Sequence, residues 1–198
     1  MDRLREVLRR IQDARESRFA KKRHLISCGK SGLLRLEPAV YSGPRVVLKS
    51  GQEVLSGARI AEIHLDSRKI LQAYESMPPM KARLGFFRQA QEGFAWAAEW
   101  LLRDPTGRET EALLSVTLLD REMMHFGFET MALPVWPWLF VGIHMRWLDY
   151  LYRGSSSARK QNASSGAAPF IKQIIPRQAW MGRQEFLQRY RGQGIQSP

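Results

Sequence analysis

Glu62, His64 and Asp66 alternate along the run Ile60-Ala-Glu-Ile-His-Leu-Asp66. On an extended chain alternate side chains share a face, so these three stand together while Ala61, Ile63 and Leu65 turn to the core. A carboxylate beside an imidazole can share its proton, which tunes a general base towards neutral pH. The expected roles are His64 as acid/base, with Glu62 or Asp66 as its partner. With Asp120, His125 or Glu129 from a neighbouring element they could also make a metal site. The same pattern also describes a solvated strand face on which Asp66 caps the next helix and His64 bonds to backbone. Slipping the register by one residue would bury three ionisable groups, a costly alternative.

A second group of residues suits an anionic surface. Trp136 and Trp138 precede Arg146 and Arg153, and residues 130–145 contain no Asp, Glu, Lys or Arg. An interfacial helix would set such rings at headgroup depth and the arginines on phosphates. The run is shorter than the ~20 residues a bilayer crossing needs, and Pro134 and Pro137 interrupt it. A core helix covering a sheet would use the same aromatics. Near the end, Trp180, Arg183, Phe186, Arg189, Tyr190 and Arg191 interleave rings with cations. Single-stranded nucleic acid could stack there, although no zinc finger, RNA-recognition signature or helix-turn-helix accompanies them.

The charge supports a surface role through its placement. The net charge is +12, yet residues 31–152 carry 13 basic against 14 acidic side chains, so the excess lies in the two ends. Basic ends on a neutral body fit a phospholipid surface, another anionic ligand or nucleic acid, and also fit plain solubility. The single cysteine, Cys28, excludes an internal disulfide and a multi-cysteine zinc site. The first residues are charged and amphipathic with no signal-peptide run, so cytoplasmic residence is expected, with a peripheral position at the inner face of the membrane.

The elements that must position these residues are legible in outline. Residues 1–30 form a basic amphipathic helical segment, with Leu4, Val7, Leu8, Ile11 and Ala14 at helical spacing. An α+β core domain is expected over 31–153, a Ser/Gly-rich linker over 154–168, and a basic tail over 169–198 that docks on the core. Pro38 marks 33–41 as an edge strand. Residues 45–48 and 53–55 flank a turn at Gly51, and Ser56-Gly57 turns the chain into the Ile60–Leu65 strand. A long helix from about Lys81 to Arg103 carries Leu84, Phe87, Gln91, Phe94, Ala98 and Leu101 as one stripe and Trp96 with Trp100 as another. Residues 112–119 read as a buried strand, Asp120 to His125 as a short helix stopped by Gly127, and Phe128 onward as a strand. That segment weakly echoes the last strand-helix-strand of coenzyme-A acyltransferases, but their glycine-rich pyrophosphate loop is absent.

Taken together, Gly43-Pro44, Val47, Leu48, Gly51, Gly57 and Ile63-His64-Leu65-Asp66 resemble the bacterial domain family named after YkoP. So do Thr117-Leu-Leu, Phe126-Gly-Phe-Glu129, Ala179-Trp180 and Glu185-Phe-Leu-Gln-Arg-Tyr190. The resemblance covers about residues 30–191. It implies a domain that occurs alone or fused behind a polysaccharide deacetylase, hence envelope polysaccharide-modifying enzymes as partners, and it implies no particular reaction or cofactor. The deacetylase metal pattern itself, an Asp with paired histidines, is missing from this chain. The expected fold is a small, mainly antiparallel sheet with packed helices. The expected function is a peripheral domain that binds an anionic ligand or membrane surface in carbohydrate or lipid modification.

Overall fold

Alternating apolar residues build two seven-residue strands, and the turns around them make a hairpin. The computed structural model describes residues 21–66, 69–70, 76–117, 119–133 and 176–192, with positions 14 and 18. In chain order the elements are β1 (Ile26–Cys28), β2 (Leu34–Val40), β3 (Val46–Val47), β4 (Glu53–Val54), β5 (Arg59–Leu65), α1 (Pro79–Arg103), α2 (Pro105–Glu109), β6 (Ala112–Thr117), α3 (Asp120–His125), β7 (Glu129–Ala132), β8 (Arg177–Gly182) and α4 (Arg183–Tyr190). Six strands form one sheet in the order β1-β2-β5-β6-β8-β7, while β3 and β4 pair separately. All pairs are antiparallel except β5 with β6. The architecture is the expected α+β one.

The two faces of the sheet are covered differently. Leu34, Leu36, Ala61, Ile63, Leu113, Ala179 and Met181 meet the inner side of α1 in the larger core. Gly93 permits that approach: a β-carbon there would lie 2.6 Å from Leu34 Cδ1. On the other face Ile60, Ala112, Leu114 and Trp180 pack with Tyr41, Val46, Leu48 and Val54 of the hairpin. The turn at Gly51 has φ of 83°, and Leu48 N donates to Gln52 O at 2.9 Å, as the hairpin requires.

Several expectations change. β2 is not an edge strand, because β1 pairs with Leu34 to Leu36 on its outer side. Beyond Leu36 that partner ends, so Pro38, which has no N–H to give, sits where the β1 ladder has stopped. The buried stripe of α1 runs through Ala82, Phe86, Ala90, Phe94, Ala97, Ala98 and Leu101, whereas Leu84 is 63% exposed. Phe94, Ala98 and Leu101 of the expected stripe are buried and Phe87 packs against the core, while Ala82, Ala90 and Ala97 let the helix settle on the sheet. α3 ends as expected, in a left-handed Gly127 with φ of 93°. Gly127 N donates to Met124 O and Phe128 N to Met123 O, both at 2.9 Å, which satisfies the last carbonyls.

The C-terminal stretch is deeper in the fold than a docked tail. β8 lies between β6 and β7 and pairs with both. The short β6-α3-β7 connection therefore joins two strands of the same direction across a gap that β8 fills. Most of the expected N-terminal helix and the whole 154–168 linker lie outside the described residues.

Candidate functional site

Register brings the polar residues together. β2 and β5 run antiparallel with Arg35 opposite His64 and Glu37 opposite Glu62. Opposed residues share a face, so these four lie on the face of the smaller core, beyond Ile60. His64 Nε2 is 2.9 Å from Glu37 Oε2 and 3.8 Å from Glu62 Oε2. The other oxygen of Glu37 accepts from Arg23 Nη1 at 2.6 Å. Glu37 is a buried carboxylate with both oxygens engaged, and its side chain is only 5% exposed.

Asp66 takes the capping role that its place at the strand's end also suggests, and it bonds Arg35. Its Oδ2 accepts from Arg35 Nη2 at 2.6 Å, with the carboxylate buried. Its Oδ1 accepts from Lys69 N at 3.4 Å and its carbonyl oxygen from Lys69 and Ile70, so it also starts the next helical turn. The carboxylate that holds His64 is Glu37 rather than Asp66. Nothing in the sequence singled Glu37 out, because it stands beside Pro38 in a strand whose partner could not be named. Its alternation with Arg35 was the available signal.

Electrostatics separate the two glutamates. Burial pushes the Glu62 carboxyl above its ordinary value; His64 pulls it back, Glu37 raises it further and Arg23 lowers it. The guanidinium groups of Arg23 and Arg35 stand among the carboxylates of Glu37, Glu62 and Asp66. The ligand atoms of Glu37, Glu62 and His64 also lie within 4.8 Å of one another, a spacing that could hold a metal ion. Arg23 supplies one positive charge to this pair of carboxylates, through Glu37.

The other sequence candidates are not brought to this point. Glu129 stands opposite Trp180, which faces Leu114, which faces Glu62, so three strand spacings of about 4.8 Å separate the two glutamates. Its carboxylate instead accepts from Lys49 N at 2.7 Å. Asp120 is 3.9 Å from Arg177, and the His125 ring meets Phe87 edge-on at 5.2 Å. Among the described residues, the group with metal-ligand spacing is Glu37, Glu62 and His64, and it takes in none of Asp120, His125 and Glu129. Trp136, Trp138, Arg146 and Arg153 lie outside the described residues.

At the C-terminal end the rings belong to the core. Trp180 and Phe186 are fully buried and Tyr190 is 3% exposed, so the stacking platform expected for nucleic acid is not on the surface. Tyr190 Oη donates to Phe126 O at 2.7 Å, and its hydroxyl is pushed up to about 12, chiefly by burial. Arg183 donates to Leu101 O and Arg189 to His125 O, while Arg191 closes α4 on the surface. A cleft of about 790 Å³ opens elsewhere, lined by Gln52, Arg108, Glu111, Arg183, Glu185 and Gln188 among others. Among the described residues no helix is long and apolar enough to cross a membrane.

Comparison with known proteins adds one finding. No curated protein and no solved structure matches the chain. The model of the YkoP domain family does, over residues 5–190. That span takes in both seven-residue strands, α1 and the closing β8-α4 unit, and the chain belongs to the YkoP domain family.

Proposed function

We propose that this domain is an acid/base site in which Glu62 exchanges protons with a polar substrate and the His64–Glu37 pair sets its charge. The observation that supports it is the geometry of one imidazole between two carboxylates, 2.9 Å from Glu37 and 3.8 Å from Glu62. Glu37 is buried and committed, whereas the Glu62 side chain is 37% exposed and reachable from solvent. A carboxyl raised by burial keeps its proton closer to neutral pH and can give it to a leaving oxygen, then regain one from water. The reaction class is hydrolysis or transfer at an oxygen.

The test is turnover of a panel of chromogenic esters, phosphoesters and glycosides by wild type, Glu62→Gln and His64→Gln. A substrate that is turned over should lose about 10²–10⁴-fold in Glu62→Gln with the fold intact. Equal turnover by wild type and Glu62→Gln would end this assignment.

A second function has its own support in the charge. The +12 excess at the two ends favours attachment to an anionic membrane surface or ligand, where the domain would act beside an enzyme that modifies carbohydrate or lipid. Lys21, Lys22 and Arg191 are exposed at those ends.

A further inference from the structure

We propose that Arg23 is a positioning residue of this site: it fixes the Glu37 carboxylate on His64 and so leaves Glu62 as the group that exchanges protons. The proposal rests on the acid/base reading and adds a residue that no strand supplies.

The geometry is a chain of three contacts. Arg23 Nη1 meets Glu37 Oε1 at 2.6 Å, Glu37 Oε2 meets His64 Nε2 at 2.9 Å, and the same nitrogen lies 3.8 Å from Glu62. Glu37 thus bridges two bases, one on each oxygen. The Arg23 side chain is 55% exposed against 5% for Glu37, so the guanidinium reaches a buried carboxylate from outside. It arrives from the segment ahead of β1. There the chain turns at His24, whose φ of 51° is left-handed, and His24 N donates to Lys21 O at 3.3 Å. A left-handed non-glycine residue costs energy and persists where surrounding contacts hold it.

The chemical need for a cation here is direct. With no guanidinium on it, Glu37 would be a buried carboxylate competing with Glu62 for the imidazole. Among the described residues, the charged groups around Glu62 include Glu37 and Arg35 from β2, His64 from β5, Asp66 just after β5, and Arg23. Of these, Arg35 is taken up by Asp66. Arg23 therefore offsets Glu37, and it does so from the basic end of the chain.

The experiment is a carbon-detected NMR titration of the Glu62 carboxyl in wild type, Arg23→Gln, Arg23→Lys and Lys22→Gln, with melting temperatures checking the fold. Arg23→Gln should move the Glu62 midpoint upward, Arg23→Lys should restore most of it, and Lys22→Gln should leave it in place. Because the guanidinium is half exposed, raising salt should move the wild-type midpoint in the same direction as Arg23→Gln. An unchanged midpoint in Arg23→Gln, or an equal shift in Lys22→Gln, overturns the proposal. If Arg23→Gln does not fold, the salt titration of the wild type decides, and no upward drift counts against Arg23. Loss of turnover in Glu62→Gln with no titration change in Arg23→Gln removes Arg23 alone; unchanged turnover in Glu62→Gln removes the acid/base reading itself.

Discussion

Glu62 combines a useful property with a cost. Its carboxyl is raised from 4.5 by burial, so over the window above 4.5 the folded chain keeps a proton that the unfolded chain has released. Stability then falls as pH rises through that window and stays lower above it. Glu62→Gln removes the penalty. Its melting temperature should exceed the wild type's at pH 7 and match it near pH 3, as calorimetry can show; a Gln variant less stable at pH 7 would mean that Glu62 is held by favourable contacts instead. Arg35 behaves in the opposite way, since it compensates a carboxylate that is 1% exposed. Arg35→Met should remove the guanidinium from this buried carboxylate and lower unfolding free energy by about 3 kcal/mol in urea.

Among the elements, β8 has the largest structural role for its length. Trp180 is fully buried between Leu114 and Glu129 in register, and its ring meets Tyr41 edge-on at 5.1 Å. Trp180→Ala should cost about 3–5 kcal/mol in denaturant unfolding, because the hairpin and the sheet would face a cavity. An effect under about 1 kcal/mol would place the ring in a site able to collapse. β2 and β5 matter for another reason: their register decides that Glu37, and not Asp66, holds the imidazole.

For the whole molecule, the position of β8 makes the C-terminal end indispensable. A chain ending at residue 175 would leave β6 and β7 without the strand between them. It should show no cooperative thermal transition, and a sharp transition near the full-length value would contradict the sheet order. Deleting the tail is therefore no clean test of surface binding. Co-sedimentation of the intact chain with anionic and neutral vesicles is better suited. The +12 charge predicts pelleting with anionic vesicles only, weakening as salt rises. Equal pelleting with both vesicle types would assign the binding to apolar contacts instead.

The sequence by itself determined the local features of this protein. The hairpin at Gly51, the strand from Arg59 to Leu65, the helix from Asp120 to His125 and its stop at Gly127 all follow from turn chemistry and alternation, which act over a few residues. The mixed fold class follows from the same signals. Only the tertiary structure decided which strands meet. Strand pairing depends on distant residues, so placing β8 between β6 and β7, or Glu37 against His64, needs contacts across 27 residues or more that no local pattern encodes. Trp180, Phe186 and Tyr190 show the same limit: rings among arginines look like a binding surface along the chain, and they are core because β8 and α4 are folded into the centre.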